Sequence, residues 1–445
     1  MKGLLKLLLM AIFVIAVACR PEEMPKPVTQ EFTVTIENVA SAFMFSNSGV
    51  FNTPVGAEMP SPIGPGGAFE FDIKAGKGEK LSFATMFAQS NDLFYGPDES
   101  GIDLFTAEGE PRSGDVTDEI ILWDAGTEVN QEPGEGDQQA PRQENPGDGT
   151  DENGNVLPIS MVDDGYSYPE VEEVIQVTLI PASDITFKVR IENVSNEMTL
   201  VTSMGNNALI PLSPGGWVVH TNPAPLFTTG EPERGNGLEE IAEDGNAGPM
   251  GEFLPDKTGI TNILSPGAFA VHTGGKPIYD EDTPDYGEGL EAIAEDGMPG
   301  MLANSLMSKV GVNESGAFTT PLGADSPSPI GPGGSYQFSF TARQGQRLSL
   351  VTMYVQSNDL IYAFPDRGIA LFENGEGLSG DLTGHISLYD AGTEINEEPG
   401  FGPNQAPRQS APNTGPDENG NVRPVDDEYS YPVVEEVIKV TVTSN

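Results

Sequence analysis

Residues 32–39 read FTVTIENV and residues 187–194 read FKVRIENV. In each, apolar side chains alternate with polar ones over the first five positions, which is the period of a strand with one face buried. Two such near-identical strands in one chain announce a repeat, and the rest of the sequence carries it through. PSPIGPGG at 60–67 returns at 327–334, MFAQSNDLFY at 86–95 as MYVQSNDLIY at 353–362, and WDAGTEVNQEPG at 123–134 as YDAGTEINEEPG at 389–400. QAPRQ at 139–143 matches 405–409, DENGNV at 151–156 matches 417–422, and the closing YSYPEVEEVIQVTL at 166–179 matches YSYPVVEEVIKVTV at 429–442. Order and spacing are kept, so a whole domain has been duplicated.

Between the opening and closing strands lie further short apolar runs, FEFDI at 69–73, LSFATMF at 81–87 and EIILW at 119–123, each bounded by turn formers. Many short strands with Gly, Pro, Asn and Asp between them predict an all-β chain of two tandem antiparallel β-sandwiches. The repeat predicts domain spans of 31–181 and 185–445, and a length of 445 residues suits two cores. Residues 130–165, rich in Pro, Gly and Asp, read as a long irregular loop with a tight turn at Asn153-Gly154.

The second copy carries an insertion, 196–312, that is itself duplicated. LSPGGWVVH at 212–220 matches LSPGAFAVH at 264–272, and GNGLEEIAEDG at 235–245 matches GEGLEAIAEDG at 287–297. Leu238, Ile241 and Ala242 sit at i, i+3 and i+4 with Gly245 as a stop, which predicts a short amphipathic helix. The first copy, read along the chain, lacks both this strand and this helix.

The balance of 21 Lys+Arg against 68 Asp+Glu gives a formal net charge of −47, which repels nucleic acid and anionic lipid headgroups. Such acidity also suits a solvated surface in a salty medium. Residues 1–18 combine a basic start with a short apolar run and small residues before Cys19, the only cysteine. That pattern is an export signal rather than a membrane span. It resembles a bacterial lipobox, which implies lipidation of Cys19, a linker over 19–30 and attachment to the cell envelope at the outer membrane or cell surface. A plain secreted protein is the alternative.

Three acids in each copy form the candidate site. They are Asp92, Asp124 and Glu128 in the first, and Asp359, Asp390 and Glu394 in the second. Calcium takes six to eight hard oxygens, two or three of them commonly from carboxylates. The DAGTE turn can bend at its glycine to bring its first and last acids together, and an antiparallel return from QSND would deliver the third to the same end. The competing reading is that these acids cap turns. His220 and His272 occupy equivalent places in the inner repeat, and satisfied structural histidines are the simpler reading than metal ligands. Trp217 and Phe269 are read as core, with ligand contact the alternative. No nucleophile elbow, zinc-protease motif, phosphate loop or dinucleotide fingerprint occurs.

The IENV strand, the SPGxxxVH strand, the GLExIAEDG helix, the QSND strand end and the DAGTE turn together resemble the spondin N-terminal domain family. The resemblance covers nearly all of 185–445 and, without the inserted elements, 31–181. It implies a C2-like antiparallel β-sandwich with one calcium per domain held at the matching acids, and a role in attachment to an extracellular protein or glycan. The expected protein is therefore a lipid-anchored, calcium-binding adhesion or ligand-binding module with no enzymatic activity and no nucleic-acid partner. The rivals are a structural envelope protein in which calcium only rigidifies loops, and a polysaccharide-active enzyme.

Overall fold

A computed structural model describes residues 29–445; the expected export signal 1–18 and Cys19 lie outside the described residues. The chain is all-β, with short helices added, and forms two sandwiches of antiparallel strands. Each sandwich sets a four-stranded sheet against a seven-stranded one, and short helices cover the outer face of the larger sheet.

Partner choice among the strands departs from the repeat. The opening strand of the first copy, Thr29–Asn38, pairs with Ser335–Arg343 on one side and Ile438–Ser444 on the other, both from the second copy. The opening strand of the second copy, Thr186–Asn193, pairs with Ile175–Pro181 and Ala68–Lys74, both from the first. The strand Leu212–His220 of the insertion lies between Asn47–Phe51 and Lys80–Phe87 of the first copy. Only its twin, Leu264–His272, joins the second, between Val312–Phe318 and Arg347–Tyr354.

The expected boundaries therefore need correction. A cut between 181 and 185 passes through a hairpin whose register runs from Ile175 against Asn193 to Pro181 against Phe187. The first sandwich is instead built from strands between Asn47 and His220, and the second from Leu264 to Ser444 plus Thr29–Asn38. The first is thus inserted into the second, behind its opening strand. Neither sandwich is short of parts: the strand and helix that the first copy lacks along the chain reach it from the insertion. The physical reason is supply. Both inner repeats follow the second opening strand, so a strictly tandem arrangement would leave the first sandwich without its SPG strand and the second with one too many.

Two buried asparagines fasten the exchanged strands. Asn38 donates from Nδ2 to the carbonyls of Asn262 and Ile330, each at 2.9 Å, while its Oδ1 accepts the amide of Ala40 at 3.0 Å. Asn193 does the same for the carbonyls of Ile63 and Ile210, at 3.0 and 2.7 Å. A buried amide with every group satisfied is worth keeping, because an unmatched one costs about 1–3 kcal/mol. Phe32, Val34 and Ile36 are fully buried in the second core, and Phe187, Val189 and Ile191 in the first. Alternation marks these strands because only one face of the smaller sheet is covered.

The larger sheets behave differently. Lys80–Phe87 and Arg347–Tyr354 are buried at nearly every position, since the opposite sheet covers one face and helices cover the other. The expected helix forms over Leu238–Asp244, with Leu238, Ile241 and Ala242 buried and Gly245 closing it at φ 66°. It packs against Phe94, Trp123 and Val218, and its counterpart Leu290–Ala294 takes the same place over the second sheet. The helices Gly248–Phe253 and Gly300–Met307 follow them. Trp217 belongs to the first core, stacked on Phe71 with ring centroids 5.4 Å apart, and Phe269 to the second, stacked on Phe338.

Candidate acidic sites at the loop ends of the sandwiches

Asp92 stands directly before the strand Leu93–Pro97, and Asp124 ends the strand Ile120–Asp124. Their strands are antiparallel neighbours with Leu93 opposite Asp124, which carries the two carboxylates to one end of the large sheet. In the second sandwich Leu360 stands opposite Asp390, so Asp359 and Asp390 meet in the same way. Gly126 and Gly392 then turn the chain at positive φ, and a Cβ on Gly126 would lie 2.6 Å from the carbonyl oxygen of Asn155. No other residue fits so close an approach at that φ.

The fully buried Asp92 uses one oxygen only. Its Oδ2 accepts the amides of Thr127 and Glu128 at 2.8 and 3.0 Å and the hydroxyl of Thr127 at 3.2 Å. Asp359 repeats this with Thr393 and Glu394 at 2.8, 3.2 and 3.1 Å. In both, the buried Oδ1 has no partner. A turn cap would explain Oδ2 and leave Oδ1 unexplained, because a buried carboxylate oxygen without a donor is costly.

Glu128 and Glu394 face another way. Their Oε1 atoms accept the amides of Gly149 and Gly415, each at 2.8 Å, and so strap the long loop back onto the DAGTE turn. The third carboxylate beside Asp359 and Asp390 is Glu418, with one oxygen from each of the three within 4.8 Å of the others. Among the described residues no other group of three acids comes as close. Glu418 belongs to the repeated DENGNV motif, which the backbone bridge between Glu394 and Asp417 brings alongside. A further buried acid comes from each helical segment, Glu243 within the first helix and Glu295 at the C-terminal cap of its counterpart, the last residue but two of the GLExIAEDG pattern. Repetition of that glutamate on a helix face that packs inward was the signal available in the sequence.

Burial raises the proton affinity of the aspartates and of the two helix-associated glutamates. Asp92 is pushed well above the ordinary carboxylate range by desolvation and then by the charge of Asp124. Asp359 is pushed up to about 7 by desolvation and the charge of Asp390, Glu243 to about 7 and Glu295 to about 8 by desolvation first. The folded protein therefore holds protons that the unfolded chain has released, so stability falls as pH rises from the ordinary value of 3.8 or 4.5 through these raised values. In chelator, melting temperature is expected to be higher at about pH 5 than at about pH 8, and calcium is expected to reverse that slope because it displaces the protons. Calorimetry across this range checks it; a melting temperature that climbs with pH in chelator would contradict the assignment.

His220 and His272 are held by hydrogen bonds at both ring nitrogens. His220 has Nδ1 2.6 Å from the carbonyl of Asn222 and Nε2 2.9 Å from the hydroxyl of Ser82, and His272 is held likewise by Gly274 and Ser349. Among the described residues no helix is long and apolar enough to cross a membrane. No family model matches the chain, and no curated protein matches it.

Proposed function

We propose that the protein is a calcium-stabilised binding module of the bacterial cell envelope, anchored through a lipidated Cys19 and engaging an extracellular protein or glycan through the loops at the acidic ends of its sandwiches. The reading draws on the resemblance to spondin N-terminal domains. One observation carries it: at the loop-bearing end of each sandwich, a fully buried aspartate keeps one oxygen without a partner beside further carboxylates. Unmatched hard oxygens in a buried acidic pocket suit a hard cation that prefers oxygen ligands. The same carboxylates hold the turns and long loops by their amides, so a cation there would fix the shape of the surface that those loops present. That is the work of a recognition surface rather than of a catalytic centre, which needs reactive groups open to a substrate.

The test is binding of the exported chain to arrayed glycans and matrix proteins, in calcium and in chelator. Binding is expected in calcium, with a loss of tenfold or more in chelator, roughly the scale of one charged interaction. Asp124→Asn in the first sandwich is expected to weaken binding in calcium as chelator does. Equal binding of parent and variant in both buffers would sink the calcium-dependent reading.

A further inference from the structure

The two acidic sites differ at the position directly after the DENGNV segment. Where the first copy continues with Leu157, the second has Arg423. The Nη2 of Arg423 lies 2.7 Å from Oδ2 of Asp390 and 2.7 Å from Oε1 of Glu418, so one guanidinium nitrogen bridges two of the three clustered carboxylates. Asn396 adds a neutral donor to Asp390 at 3.0 Å, just as Asn130 does to Asp124. Apart from the arginine, then, the hydrogen bonds around the two aspartates match. Among the described residues, Asp92, Asp124 and Glu128 have no ion pair with a basic side chain.

We propose that Arg423 is a resident countercharge which keeps the second acidic site ordered without metal, so that the first sandwich is the one whose loop end depends on a divalent cation. This rests on the calcium reading above for the cation, while the role of the arginine stands on its own geometry. Carboxylates gathered in a buried place repel one another, and either a bound cation or a fixed guanidinium offsets that repulsion. In the second site the guanidinium is covalently present at every calcium concentration. It also draws Glu418 toward Asp390, which accounts for a third carboxylate in that cluster and none in the first. Oδ1 of Asp359 and Oε2 of Glu418 remain without partners, so the second site still offers oxygens to a cation. The chain thus carries one site whose order follows the calcium concentration and one that is ordered throughout.

Hydrogen exchange of the full chain, read by mass spectrometry on segments 119–130 and 385–396, separates the two ends. In the parent, moving from calcium to chelator is expected to speed exchange in the first segment by roughly tenfold or more and to leave the second within about threefold. In chelator, Arg423→Leu and Arg423→Gln are each expected to loosen the second segment to the level of the first. Leu157→Arg is expected to slow the first segment in chelator. If both Arg423 variants exchange like the parent in chelator, or if the second segment of the parent is the more calcium-dependent, the countercharge role is overturned. If calcium protects neither segment while the Arg423 variants still loosen the second, the calcium reading fails and the arginine's role stands.

Discussion

A chain lacking residues 29–38 is expected to lose its second sandwich and keep its first. The missing strand is internal, paired on both sides, and takes with it Phe32, Val34 and Ile36 from the second core. Each of those side chains stabilises by about 1.5–3 kcal/mol when fully buried. Their sum is comparable with the whole stability of an ordinary domain, about 5–15 kcal/mol, before the two ladders and the bonds of Asn38 are counted. The first sandwich uses none of these residues. Both tryptophans, Trp123 and Trp217, belong to it, so its folding can be followed by indole emission alone. The truncated chain is expected to show parental emission and a parental first transition, with rapid hydrogen exchange over 347–354. Adding a synthetic peptide of residues 29–38 is expected to restore protection. Slow exchange over 347–354 in the truncated chain without peptide would mean that the strand is dispensable.

Asp92→Asn in the first sandwich is expected to act in opposite directions with and without calcium. Its Oδ1 can take the three donors that Oδ2 accepts now, and its Nδ2 would fall in the place of the unmatched oxygen. Burial and the charge of Asp124 make the ionised carboxylate costly there, so removing it is expected to raise stability in chelator at alkaline pH by about 1–3 kcal/mol. A ligand confined to the folded state adds RT ln(1 + [L]/Kd), about 2.7 kcal/mol at a hundredfold excess over Kd. That gain is expected to vanish from the first transition of the variant. Thermal scans with and without chelator decide it, and a variant that is less stable in chelator and still gains from calcium would refute the site.

The sheets were legible where one face is wet. Alternation in the opening and closing strands located them, and the i, i+3, i+4 spacing of Leu238, Ile241 and Ala242 with Gly245 located the helix. The aspartates of QSND and DAGTE were legible as neighbours because an antiparallel return fixes which ends meet. Partner choice between the sandwiches was not. FTVTIENV and FKVRIENV present the same buried face and the same terminal asparagine, so the pattern of neither names its groove; the short turn at 182–185, which folds the second onto the closing strand of the first copy, goes with the exchange. Glu418 escaped notice because its approach to Asp390 depends on the fold of a long loop and on Arg423. Neither has a periodic signature.

The strand Thr29–Asn38 also fixes how the molecule would carry a pull. Its neighbour Ile438–Ser444 runs antiparallel to it, and the amide of Asn445 bonds to the carbonyl of Glu31 at 2.9 Å. Tension arriving from the residues before Thr29 would run along the strand axis and load both flanking ladders in shear. Many hydrogen bonds would then have to fail together, whereas a strand peeled from its end breaks them singly. The first sandwich hangs from the far end of that strand, through residues 39–46 alongside the return at 258–263. A load held by the first sandwich would reach a tether at the N-terminus only through the most securely clamped strand of the second. The order of the parts along the chain thus sets the order in which they would yield, and the rate of forced opening, rather than equilibrium stability, is the quantity that such a connection sets.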